Sequence, residues 1–224
     1  MCQLIPLVYC LVNRPTRPVK FTGIDDAPEY DSNEDTQASS SSKSATSRTS
    51  AKTLYWIIKK FNEVKRECVR EIGFGGTLDV PLWNLISRIF STWLLKNVDC
   101  TNCAIVVDAI PALPFGPIDV NRAFGIPCGT RDVLGPKTKI SETALAYIRE
   151  QAGMPANKIS LKEAEKIILM DLTPESTRLQ KDSFKMAYVI ILIGHMLSPS
   201  TKYDHVNPDF LGAVRCTDEI GEYN

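Results

Sequence analysis

Seven cysteines and two histidines carry most of the reactive chemistry available to this 224-residue chain. Cys100-Thr-Asn-Cys103 has the spacing of half a tetrahedral zinc site. A structural zinc wants four ligands, usually a second pair at similar spacing. The other candidates, Cys128, His195, His205 and Cys216, are scattered and unpaired. A redox reading of the same pair wants a strand before it and a helix starting on it. Here a strand follows instead. The expectation is two unrelated thiols in a turn, with no bound metal. His205, Asp209 and Cys216 have the residue types of a cysteine-protease site, crowded into one short segment. A nucleophilic thiol needs an imidazole within hydrogen-bond reach on a supported scaffold, so no catalytic residue is assigned. His195 lies near the end of an apolar run, where a capping or packing role is expected.

Phosphate chemistry has two candidates. Gly73-Phe-Gly-Gly76 could cradle a phosphate, but no Gly-Lys-Ser/Thr follows and no strand precedes it. It reads instead as a tight turn using positive φ, with Phe74 in the core. Arg122, Arg131, Lys137 and Lys139 lie close together in sequence and could contact nucleic-acid phosphates. Against that, Lys plus Arg and Asp plus Glu both number 26, so there is no overall basic footprint. The odd cysteine count does not suggest a disulfide framework, and reduced thiols inside a cell are the simpler reading.

These residues must be positioned by helices. Phe184 to Leu197 is the most apolar run, shorter than the ~20 residues a bilayer needs, and no membrane partner is expected. The pattern extends back to Pro174, which favours a helix buried on most sides. Leu54, Ile57, Ile58, Phe61, Val64 and Cys68 predict a helix over 54–71, with Lys59, Lys60, Glu63, Lys65, Arg66, Glu67 and Arg70 on a solvated face. Pro81 opens a second helix to residue 96, with a wide apolar face expected to pack on the central one. Ala104–Val107 and Ala112–Phe115 read as a short β-hairpin. A short helix from Gly116-Pro117 to Phe124 follows, with Ile118, Val120, Ala123 and Phe124 facing in. Ser141 caps a helix at 142–152, Ser160 one at 161–170, and Thr173-Pro174 the central helix. The apolar segment 1–12 lacks a basic start and a clean cleavage site, so it is not read as a signal peptide. Residues 13–52, acidic and serine-rich, are predicted to be disordered. The fold class is mainly α: one helical domain at 53–224 around a central buried helix, with one short β-hairpin and a disordered N-terminal tail.

Several stretches together resemble a large, transposon-associated plant family. They are Glu71-Ile-Gly-Phe-Gly-Gly76, Trp93-Leu-Leu-Lys-Asn-Val-Asp99, Asp119-Val-Asn-Arg-Ala-Phe-Gly-Ile-Pro-Cys-Gly129 with Arg131-Asp-Val133, and His195-Met-Leu-Ser-Pro-Ser-Thr-Lys202. That family carries an aminotransferase-like plant mobile domain, or a related helical domain upstream of a ubiquitin-like (SUMO-type) cysteine protease. The similarity covers about residues 65 to 224. It implies a mostly helical, transposon-derived domain that is nuclear or cytoplasmic. Members have Thr or Ser with an acidic residue before the Asp-Val pair, where this chain has Gly116-Pro117-Ile118, so a weaker helix start is expected. Members also run on past a Tyr-Asn like Tyr223-Asn224, so the chain is read as C-terminally truncated, without the protease domain. The resemblance carries over no catalytic residue. The Schiff-base Lys, pyridinium partner and phosphate cup of a pyridoxal enzyme are not legible, and no cofactor is expected. The function expected is a non-catalytic interaction domain with a protein partner. The alternatives are a nucleic-acid-binding domain of mobile-element origin, through Arg122, Arg131, Lys137 and Lys139, and a fragment of a SUMO-type cysteine protease lacking its catalytic domain.

Overall fold

A computed structural model describes residues 51–82, 88–107, 111–133, 142–155, 159–199, 204, 206 and 208–223. The apolar segment 1–12, nearly all of the acidic and serine-rich tail, Ser141, Lys137, Lys139 and His205 lie outside the described residues.

The expected helix over 54–71 is two helices, α1 (Ala51–Lys59) and α2 (Glu63–Glu71). Asn62 makes the break. Its side chain accepts from the Lys65 backbone N–H at 3.0 Å, capping α2. Its Nδ2 donates to Leu172 O at 2.7 Å, tying the break to a segment more than a hundred residues on. After α2 the chain turns at Gly73, whose φ is +83°, and buries Phe74. A 3-10 turn, Gly75–Asp79, follows, then α3 (Arg88–Lys96).

Three strands come next: β1 (Val98–Asp99), β2 (Ala104–Ile105) and β3 (Leu113–Pro114), antiparallel in that order. Asp99 pairs with Ala104, and Ile105 with Leu113. The expected hairpin is β2–β3, and Val98–Asp99 adds a third strand. Helix α4 (Pro117–Phe124) starts as expected and stops at left-handed Gly125. Asp119 Oδ2 accepts from the Gly116 N–H at 2.9 Å. Gly116 has no hydroxyl to return the second bond of a capping box. Val120 and Phe124 pack against the core, whereas Ile118 and Ala123, expected to face in, are exposed.

Helices α5 (Glu142–Gln151), α6 (Leu161–Leu169) and α7 (Arg178–Leu192) complete the framework. The α7 start lies after Thr173-Pro174. Thr177 and Gln180 form a reciprocal capping box there, which satisfies two of the open donors of a first turn. The helix ends in a π turn, Ile193–Leu197. Every residue from Met186 to Gly194 is buried, so the apolar run is the core helix that its composition predicts. Around it lie Leu54, Ile57 and Ile58 of α1, Cys68 and Val69 of α2, Ile148 of α5, Ala164, Ile167 and Ile168 of α6, and Leu211, Val214 and Ile220 near the C-terminus. Helix α6, rather than residues 82–96, runs most extensively along α7. Two 3-10 segments, Pro208–Val214 and Thr217–Glu222, close the fold.

Lys65 is the residue whose placement departs furthest from its sequence pattern. It was expected on a solvated face, yet it is only 5% exposed. Its Nζ donates to Ile168 O at 2.8 Å, filling a carbonyl that the last turn of α6 leaves open. The ammonium also lies 5.9 Å from the ring centroids of both Phe61 and Phe184. Burial pushes its pKa down, with Asp171 opposing. The unfolded chain holds this lysine at its ordinary value of about 10.4. Between the folded and unfolded pKa values the unfolded state therefore binds more protons, and stability rises with pH. Lys65→Met removes that rise. Urea unfolding at a series of pH values from neutral upward should show the parent gaining on the variant as the ordinary lysine pKa is approached. Parallel curves would mean that the ammonium is as well solvated folded as unfolded.

Candidate functional site

Of the predicted basic group, Arg122 and Arg131 are among the described residues. Arg131 is held in a fork between Glu219 Oε2 at 2.5 Å and Glu222 Oε2 at 2.9 Å. Its guanidinium lies 5.7 Å from the Tyr223 ring centroid. The backbone repeats the attachment: Gly129 N–H donates to Tyr223 O and Arg131 N–H to Glu222 O. A Cβ on Gly129 would collide with the Glu222 backbone. Arg131 thus fastens the C-terminal turn to the loop after α4. Arg122 is exposed, with Asp119 at 3.7 Å. Lys137 and Lys139 lie outside the described residues.

Among the described residues, neither Cys68 nor Cys216 makes a hydrogen bond to His195. Cys68 is buried, and burial raises its pKa, the opposite of what activates a thiol. Cys216 is exposed beside Thr217. Its proposed partner His205 and the Asp209 side chain lie outside the described residues. His195 sits half-buried in the π turn, and burial lowers its pKa, with Glu165 opposing. That direction works against the dipole role, which needs the protonated ring, and leaves the packing role. Among the described residues, no group of three or more His, Cys, Asp or Glu is placed to hold a metal ion.

Several polar side chains elsewhere hold the fold together. Thr77 Oγ1 donates to Phe74 O at 2.6 Å, so the 2.5 Å contact between Thr77 and Tyr188 has the tyrosine donating. Burial carries the Tyr188 pKa up to about 12, so the phenol stays neutral. This chain of hydroxyls ties the turn after α2 to the middle of α7. At the start of α7, Arg178 bonds Asp218 at 2.5 Å, and Asp182 accepts from Thr217 at 3.0 Å. Lys185 bonds Glu71 at 2.8 Å. Two of these three contacts dock the last turn of the chain onto α7, and the third links α7 to α2.

What stands apart is the segment from α3 through β3. None of the described side chains of α3 is buried, and of the strands only Ala104 is. Ile89 is 85% exposed, Val106 46% and Leu113 54%. Phe90 stacks on Trp93 with centroids 5.8 Å apart. The apolar face of 82–96 expected in the core is thus, where described, exposed at Ile89 and Phe90 and only half-buried at Trp93, Leu94 and Leu95. Periodicity reports that a helix has an apolar face, not what covers it.

The model of a family described as a domain of unknown function, DUF8566, matches residues 47–224. The chain belongs to the DUF8566 family. No curated protein and no solved structure matches it. In this DUF8566 domain, among the described residues, no helix is long and apolar enough to cross a membrane.

Proposed function

We propose that this chain is a non-catalytic helical interaction domain of mobile-element origin, acting on a protein partner in the nucleus or cytoplasm through its α3–β3 segment. The observation that carries the reading is the exposure of Ile89, Val106 and Leu113, large apolar side chains on one segment that adds almost nothing to the core. Phe90, 58% exposed, adds a fourth such side chain to the segment, and contiguous apolar surface marks contact sites more often than single exposed residues do. The fate of the buried polar groups supports it as well. Lys65, Tyr188 and Thr77 are committed to hydrogen bonds that hold the fold, and the Arg131 fork is committed to the C-terminal turn.

The test is a pair of surface variants, Ile89→Asp and Leu113→Asp, in the full chain. Proximity labelling in cells should recover a set of proteins with the parent and lose it with both variants, while their thermal unfolding stays within a few degrees of the parent. An unchanged set would place the contact elsewhere. Fluorescent DNA and RNA titrations between about 50 and 200 mM salt provide the contrasting arm. Binding that falls steeply with salt and weakens in Arg122→Ala would replace the protein partner with a nucleic acid.

A further inference from the structure

We propose that Cys100 and Cys103 form a reversible dithiol–disulfide pair, closed by exchange with a small-molecule disulfide of the glutathione class. The inference goes beyond the interaction reading and does not depend on it. The register of the sheet carries it. Asp99 pairs with Ala104 across β1 and β2, so the two cysteines are the first and last residues of the four-residue turn between them. A four-residue turn holds its end Cα atoms within ~7 Å, and a disulfide spans Cα separations of ~4.4–6.8 Å. The sulfur of Cys103 donates to the backbone oxygen of Cys100 at 3.8 Å, so one thiol already lies over the residue that bears the other. Both cysteines are half-buried.

Two features show a turn built around this geometry. Asp99 Oδ1 accepts from the backbone N–H groups of Thr101 and Asn102, and Oδ2 from Asn102 Nδ2 at 2.7 Å. Those bonds fix the two residues between the thiols. Cys103 itself has φ +48°, the left-handed region. Glycine or asparagine would take that position at lower cost. A strained residue of this kind points to a role for its side chain. Neither Cys128 nor Cys216, each exposed, has a second cysteine near it in sequence, so they serve as internal controls.

The exchange balances without an outside electron acceptor beyond the small disulfide. One of the two thiolates attacks a sulfur of that disulfide, forming a mixed disulfide and releasing one thiolate. The other cysteine's thiolate attacks the protein sulfur of the mixed disulfide, forming the Cys100–Cys103 bond and releasing the second thiolate. Two protein thiols are oxidised, one small disulfide is reduced to two thiols, and the two protons leave with them.

The full chain is equilibrated at neutral pH in mixtures of reduced and oxidised glutathione, quenched with acid, alkylated and mapped by peptide mass spectrometry. The peptide containing both residues should become lighter by two hydrogens and carry no glutathione, while Cys128 and Cys216 carry adducts or remain thiols. Cys100→Ser and Cys103→Ser should each stall at a glutathione adduct on the remaining cysteine. Asp99→Ala, which frees the turn, should lower the equilibrium constant for closure about tenfold, which is ~30 mV for a two-electron couple. Thiols that stay reduced across the whole range would overturn the proposal. So would persistent adducts on the parent pair, or stoichiometric zinc blocking both sulfurs in the purified protein. Closure in Asp99→Ala equal to the parent would overturn the role given to the turn.

Discussion

Ile191→Ala is expected to lower the unfolding free energy by ~2–5 kcal/mol. The side chain is fully buried in the middle of α7, and its neighbours Ile190 and Leu192 are fully buried too. Three consecutive buried residues on a helix cannot all face one partner. Removing one therefore leaves a cavity walled on the remaining sides by other elements, and the loss of transfer energy adds to the cost of the void. Since a domain has only ~5–15 kcal/mol in all, urea unfolding should shift well outside error and soluble yield should fall. Leu179, 61% exposed on the first turn of the same helix, supplies the control. Leu179→Ala should stay within ~0.5 kcal/mol. If Ile191→Ala melts with the parent, α7 is not the centre of the core.

What the residues made legible was the central helix and the signals that start and stop its neighbours. The run Phe184–Leu197 could be read because nine apolar or small residues in succession leave a helix no solvent face. Ser160 before α6, Gly153 after α5 and Gly125 after α4 could be read because each supplies a local bond or backbone angle that few other residues offer. Choices made by distant partners were not legible. The break at Asn62 depends on Leu172 O as much as on its own cap. Lys65 lies on the charged side of its helix by spacing, but α6 brings Ile168 O and α7 brings Phe184 to it. The exposure of α3 was hidden for the same reason, since an apolar stripe looks alike whether it meets the protein's own core or another molecule. For the candidate site, the cysteine spacing was visible, but the register that makes those residues the two ends of one turn was not. The acidic partners of Arg131 were hidden in the same way. Arg131 has the right charge for phosphate, and only the fold reveals Glu219 and Glu222 already holding it.

Gly125→Ala is expected to cost ~2–5 kcal/mol, from two separate effects. Gly125 has φ +57°, and a side chain in that left-handed region costs ~1–2 kcal/mol. The added Cβ would also meet Gly76 Cα at 2.7 Å and Gly76 N at 3.1 Å. Those are backbone atoms with no rotamer to yield, so the contact acts as overpacking, worth ~1–3 kcal/mol. Gly76 is constrained in return, since its own Cβ would meet Gly125 Cα and Phe124 O at 2.5 Å. The two segments touch back to back, and Gly76 N–H donates to Gly125 O at 3.2 Å across the contact. Thr77, the next residue, takes the Tyr188 hydroxyl from α7. A shift at Gly125 is thus passed through one residue to the centre of the core. This gives a packing reason for the glycines of Gly73-Phe-Gly-Gly76 and of the Asp119–Gly129 stretch. Each supplies half of one glycine contact. Gly116→Ser is the matched control at the other end of α4. No atom lies within 4 Å of its Cβ position, and the hydroxyl would supply the missing half of the capping box, for a gain of a few tenths of a kcal/mol. Denaturant unfolding of the two variants should therefore move in opposite directions. A Gly125→Ala protein as stable as its parent would mean that the loop after α2 and the end of α4 do not meet.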